Sequence, residues 1–212
     1  MPVKTRYHHG DLKNALIEAG ATVLAREGPS ALSLRRVAQE AGVSHAAPYA
    51  HFADKPALIA AIATEGYRRL YEVLLETIEA QKGRPARQLH AAAAAYVTFA
   101  LEHPNLFKVT MSQVVEKHRQ YRAFVEISNR CFALLLRLVR TNQVAGILEK
   151  APPALAAVSL WSSIHGLATL LLEDQLSSRV KARFPVAKMV RFTLRQATRG
   201  EHPRRCNRPC ST

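Results

Sequence analysis

The stretch Leu34-Arg35-Arg36-Val37-Ala38-Gln39-Glu40-Ala41-Gly42-Val43-Ser44-His45-Ala46-Ala47-Pro48-Tyr49-Ala50-His51-Phe52 decides the reading of this chain. A run of helix formers follows Ser33, whose hydroxyl can accept an orphan backbone N–H at a helix start. Gly42-Val43-Ser44 then breaks the run. Glycine takes the left-handed conformation that ends a helix without steric cost, and Ser44 can cap a third helix expected over about 45–51. Two short helices joined by a glycine turn form a helix-turn-helix, in which the second helix enters the DNA major groove and the first braces it across the backbone.

Within this unit Val37, Ala38, Ala41, Val43 and Phe52 are expected to pack. His45 and Ala46 stand at the outward start of the reading helix. His45 can donate to a base edge or a phosphate, and Ala46 and Ala47 can press on thymine methyls. Tyr49, one turn on, can reach a phosphate. Arg35 and Arg36 are expected at the phosphate backbone, one of them near a base. Lys55, at the start of the next helix, adds its charge to the helix dipole in favour of a phosphate. His51 reads equally as interhelix packing or backbone contact. Pro48 removes an N–H early in the short helix, and an altered first turn is expected there.

Upstream, residues 1–10 read as an arm whose Lys4 and Arg6 can enter an adjacent minor groove. Asp11 is expected to cap a helix over 12–27, which Gly28-Pro29 stops. Downstream, Asp54 caps a long helix over 55–80 with Pro56 in its first turn. Further helices are expected to about His103, over 104–114, 118–141, 152–172 and 185–198. No convincing strand appears.

Ala and Leu dominate the composition, which favours helices. The net charge is +14, from 30 basic and 16 acidic residues, which attracts polyanions without defining a fold. The first 56 residues carry only seven basic and five acidic groups, so placement rather than bulk charge must serve DNA reading. Three cysteines, Cys131, Cys206 and Cys210, make no disulfide framework and suit a reducing, cytoplasmic setting. No signal peptide is visible, and no uninterrupted run of 18 apolar residues suggests a membrane span. No phosphate loop, HExxH or nucleophile elbow points to an enzyme. His202, Cys206 and Cys210 have metal-like spacing but no clear fourth ligand, so no metal and no cofactor are expected.

Residues 10–60 resemble the DNA-binding head of the tetracycline-repressor family of bacterial regulators, through the glycine turn, Tyr49, His51 and Lys55. The resemblance implies base or near-base contact by His45 and Ala46, phosphate contact by Ser44, Tyr49 and Lys55, and Arg35 at the groove. It implies an all-α fold: a three-helix helix-turn-helix head (1–54), a larger helical effector-binding and dimerisation body (55–199), and a disordered basic tail (200–212). Implied partners are an operator in double-stranded DNA, a second copy of the chain and a small-molecule effector. Pro48 and Ala50 depart from the commoner family pattern.

The body adds its own evidence. The 152–172 segment is apolar around much of its circumference, and such a helix needs a second partner. Trp161-Ser162-Ser163-Ile164-His165-Gly166 resembles a tryptophan–histidine–glycine signature of one family branch. Trp161 and His165 share a helical face and either pack or line a pocket. Tyr96, Phe99, Phe107, Met111, Phe124 and Phe132 either line an apolar effector cavity with them or fill an ordinary core. The expected function is a ligand-responsive repressor acting on a palindrome as a dimer. The alternative is a nonspecific DNA-coating protein, which would explain the charge but not the helix-turn-helix.

Overall fold

Side-chain caps set two of the helix starts in the computed structural model, which describes residues 9–111 and 121–198. Helix α1 (His9–Glu27) is followed by α2 (Leu34–Glu40), a 3₁₀ turn (Ala47–Ala50), α3 (Lys55–Ala80), α4 (Pro85–Glu102) and α5 (Pro104–Thr110). Then come α6 (Arg122–Val144), α7 (Pro153–Leu172), α8 (Ser178–Arg183) and α9 (Val186–Thr198). Among the described residues the fold is all-helical.

The Ser33 hydroxyl accepts from the Arg36 N–H at 3.1 Å, and the Asp54 carboxylate accepts from the Ala57 N–H at 2.8 Å. Each satisfies a backbone donor that a helix start leaves orphaned. Gly42 sits at φ +67°, the left-handed geometry that ends α2. Helix α1 begins at His9, so Asp11 lies inside it rather than capping it. Helix α8 has no counterpart among the expected elements, and α6 runs on to Val144. Helix α5 stops at Thr110; the expected continuation to 114, the expected start of α6 at 118, the arm with Lys4 and Arg6, and the tail 200–212 lie outside the described residues.

One hydrophobic cluster runs through head and body. In the head, Leu16, Val23 and Val37 are fully buried, each contributing about 1.5–3 kcal/mol relative to exposure. In the body the same cluster takes in Val97, Phe99, Phe107 and Leu194. Helix α1 packs on α5 as well as on α2 and α3. At the crossing of α3 and α5, Gly66 admits Thr110: a Cβ on Gly66 would lie 1.8 Å from the Thr110 hydroxyl oxygen.

Helix α7 is long and apolar enough by length and composition to cross a membrane, with 22 % of its most apolar window buried. It holds no unbroken run of 18 apolar residues, because Ser159, Ser162, Ser163, His165 and Thr169 interrupt it, although no Asp, Glu, Lys or Arg does. Ala157, Leu160, Ile164 and Ala168 pack inward against α4, α6 and α9. Its other side exposes Leu155 (67 %) and Val158 (47 %).

Candidate functional sites: an exposed reading face and a body cavity

The segment expected as a reading helix is not α-helical. Ala47, Tyr49 and His51 donate to the carbonyls three residues back, those of Ser44, Ala46 and Pro48. Pro48 is the physical reason. It has no N–H to return to Ser44, and its ring crowds the carbonyl that an α-helical bond would use. The ring is itself buried, so the kink is held by the core.

Outside that core, Ser44, His45, Ala46, Tyr49 and Ala50 are exposed, and Ala47 is half-buried. Tyr49 is 56 % exposed. His51 is half-buried, with its ring 6.2 Å from that of Phe52. Val37, Ala38 and Phe52 are buried behind this face, and Ala41 and Val43 pack against the cluster.

The two arginines of α2 have different fates. Arg35 is exposed and makes no ion pair among the described residues. Arg36 instead donates to Glu27 at 2.7 Å and to Glu40 at 2.9 Å. Arg26 pairs with the same two carboxylates. Hydrogen bonds from Arg36 and then Arg26 pull the Glu27 carboxyl down to about 2. Arg36, expected at a phosphate, therefore clamps α2 to the end of α1. Lys55 is half-buried and its ammonium donates to the Pro29 carbonyl, tying the loop after α1 to the start of α3.

In the body, α3, α4, α6 and α7 surround a cavity of about 420 Å³. Helix α3 contributes Tyr67, Leu70, Leu74 and Ile78; α4 contributes Leu89, Ala92, Ala93 and Tyr96. Helix α6 adds Ser128, Asn129 and Cys131 near its start, then Phe132 and leucines to Leu138. Leu160, Trp161 and Ile164 of α7, Met111 and Leu194 complete the wall.

Tyr96, Met111, Phe132 and Trp161 of the expected set thus reach the cavity. Phe99, Phe107, Phe124 and His165 do not, and the reason is packing. Phe99 and Phe107 are each only 2 % exposed within the core. Phe124 stacks edge-on against Tyr67 at 5.8 Å. His165 stands behind the wall, its Nδ1 2.9 Å from the Tyr96 hydroxyl. Burial lowers the His165 pKa, which favours the neutral ring. The Tyr96 hydroxyl, hydrogen-bonded to Nδ1, also accepts from the Trp161 indole N–H at 3.2 Å and lies 3.8 Å from the Met111 sulfur. Burial also raises the Tyr96 pKa, keeping the phenol protonated.

Tyr67, Cys131 and the α6 leucines were not among the expected site residues. The Cys131 thiol donates to the Tyr67 carbonyl at 3.5 Å, and burial pushes its pKa up to about 12, so it stays a thiol. No cluster of three His, Cys, Asp or Glu suited to a metal exists among the described residues.

Residues 16–62 match the family model for bacterial regulatory proteins of the tetR family, and residues 89–196 match the tetracyclin repressor-like C-terminal domain. The chain belongs to the tetR family. A Rhodococcus sp. RHA1 protein of unknown function has the same fold with 33 % identity and a TM-score of 0.75, over 93 % of this chain and 98 % of that one. The tetR-family chain is 24 % identical over 165 residues to YobS of Bacillus subtilis (strain 168), an uncharacterized HTH-type transcriptional regulator. That match spans 78 % of this chain and 81 % of YobS. The fold also matches Bacillus subtilis FadR, a transcriptional regulator solved in complex with stearoyl-CoA. The TM-score is 0.72 at 20 % identity, over 89 % of this chain and 99 % of that one. This tetR-family regulator thus carries both domains of its family on one all-helical frame.

Proposed function

We propose that this regulator is a ligand-responsive repressor that binds a palindromic operator as a homodimer. The observation that carries the reading is the exposed edge Ser44–Tyr49, held rigidly by buried Pro48 and Phe52. In this reading residues 1–54 form the DNA-binding unit and residues 55–199 the effector and dimer unit. His45, Ala46 and Ala47 meet base edges. Ser44, Tyr49, Arg35 and the remaining donors of Lys55 meet phosphates, with His51 beside them and Lys4 and Arg6 reaching the minor groove. Arg36 acts on register indirectly, through its clamp on α1. Phosphate contacts set register and base contacts choose sequence.

Two features support the dimer. Leu155 and Val158 on α7 and Phe192 on α9 are exposed at 67 %, 47 % and 63 %. A Cβ built on Gly166 meets nothing within 4 Å, so no contact among the described residues requires glycine there; a second copy of α7 crossing closely would. Trp161, His165 and Gly166 together support placement in the tryptophan–histidine–glycine branch.

The cavity supports an effector switch, because α3 lines it and also begins at Lys55 beside the reading edge. A ligand that prefers one α3 geometry shifts operator affinity by its differential affinity for the two states. Selected palindromic DNA should bind at least ~10³-fold more tightly than random DNA at matched salt. A ratio near one makes the protein a nonspecific DNA binder and refutes the proposal.

A further inference from the structure

Positive charge is concentrated away from the reading edge. Residues 1–56 carry seven basic and five acidic groups, whereas residues 175–198 carry six basic groups and no acidic one. All six, Arg179, Lys181, Arg183, Lys188, Arg191 and Arg195, are exposed. Lys181 pairs with Asp174, just before α8.

The fold gathers these cations into a strip. Arg183 and Lys188 both rest against the Phe184 ring, 5.7 and 5.0 Å from its centroid, at the corner between α8 and α9. On α9, Lys188, Arg191 and Arg195 follow at helical spacing and share a face about 10 Å long, while Val190 and Leu194 turn into the core. That face borders α4, because the charges of Arg191 and Arg195 add to burial in lowering the His90 pKa. The exposed Leu155 and Val158 of the proposed dimer face lie instead on α7. Like charges held this close repel one another, and a polyanion laid along them relieves the repulsion.

The strip also has a defined place. Lys108 of α5 pairs at 2.8 Å with Glu173, which precedes α8, and α5 packs on α1 of the head. The strip therefore starts at the head-facing end of the body. It ends near Leu194, which meets Ile78 and Leu89 in the cavity wall. Along α3, Ile78 stands about 34 Å from Lys55 at the helical rise per residue. A duplex seated on the reading edge would have to turn sharply to follow the strip, and a persistence length of about 150 base pairs opposes that turn.

We propose that α8 and the cationic face of α9 form a second, sequence-independent site for duplex DNA, which holds a separate duplex segment while the head stays on its operator. The site uses phosphate contact alone, and duplex DNA presents one negative charge per ~1.7 Å of its axis. The proposal rests on DNA being the partner of this regulator, and on neither the cavity nor the effector.

The test uses the full-length protein and two short duplexes labelled in different colours, one with the selected palindrome and one of random sequence. Protein saturated with the palindrome should recruit the random duplex, seen as co-sedimentation of both colours. Combining Arg183→Gln, Lys188→Gln, Arg191→Gln and Arg195→Gln should weaken recruitment at least ~10-fold at low salt. Palindrome affinity should stay within ~3-fold of the parent, and the urea midpoint should not move. Combining Arg183→Lys, Arg191→Lys and Arg195→Lys keeps the charge and should keep recruitment. No recruitment by the parent, or equal recruitment by the Gln variant, overturns the site. So does binding of phosphatidylglycerol vesicles with no recruitment of duplex, which would assign the strip to an anionic membrane. A protein that selects no palindrome refutes the reading of the head alone. The strip is then judged on random duplex, where the Gln variant should lose at least ~2 from the slope of log affinity against log salt, and an unchanged slope overturns it.

Discussion

Replacing Gly66 with alanine tests the junction between the lever helix α3 and α5. The added Cβ would fall 1.8 Å from the Thr110 hydroxyl oxygen, 3.0 Å from the Thr110 Cβ and 3.3 Å from Leu106 Cγ. Thr110 is 2 % exposed, and its hydroxyl donates to the Leu106 carbonyl at 2.7 Å, so it has no free direction to swing. Overpacking of this kind costs about 1–3 kcal/mol. Glycine-to-alanine in a helix interior returns about 0.5–1 kcal/mol through chain entropy. The net expectation is a loss of about 1–2 kcal/mol, or a melting point lower by about 2–8 °C for a chain of this size. The assay is urea and thermal unfolding at fixed protein concentration, because the proposed dimer would make stability concentration-dependent. In a Thr110→Ala background the nearest clash disappears, and Gly66→Ala should cost less than about 1 kcal/mol. If Gly66→Ala is as stable as the parent, or equally harmful in both backgrounds, the packing account of this crossing is wrong.

Arg35→Ala should weaken operator binding, remove about one unit from the slope of log affinity against log salt, and leave the urea midpoint unchanged. Arg36→Ala should lower the urea midpoint, since it unclamps Glu27 and Glu40; the reverse pattern would exchange the two roles. Folded Glu27 holds its carboxyl near 2 against an ordinary 4.5, so its contribution is complete above pH 4.5 and is lost as pH falls from there toward 2. Glu27→Gln should flatten that part of the urea-midpoint profile, and an unchanged profile would count against the clamp. Val158→Asp should leave the monomer fold intact, since the side chain is exposed within the chain, but shift sedimentation velocity from dimer to monomer. Retention of the dimer would place the interface elsewhere.

Much of the head was legible because its punctuation is local. Ser33, Gly42 and Asp54 act through their own backbone neighbours, and each boundary they set is found in the fold. Pro48 was read as a small disturbance, whereas it governs the whole segment. The segment is too short to recover an α-helical pattern after losing one donor. The pairing of Arg36 with Glu27 was not legible because Glu27 lies on another helix, and no one-dimensional period reveals such a contact. The cavity was half legible for a similar reason. Aromatic residues on α4 and α5 look alike in sequence, yet Phe99 and Phe107 turn into the core while Tyr96 turns to the cavity. Tyr67 lay outside the expected set because nothing in the sequence of α3 announces the approach of α6 at that position.

In the proposed DNA-reading role, the tight winding at Ala47–Ala50 changes the ruler laid against the duplex. Three residues complete a full 3₁₀ turn, so Ala47 and Ala50 eclipse one another. The segment advances about 6 Å over those three steps, against about 4.5 Å in an α-helix. The surplus approaches half the 3.4 Å rise between successive bases on a strand. In the proposed reading, residue-to-base correspondences drawn for an α-helical reader would be displaced by about 1.5 Å at Ala50, and the half-site of this regulator would have to be determined on its own scale.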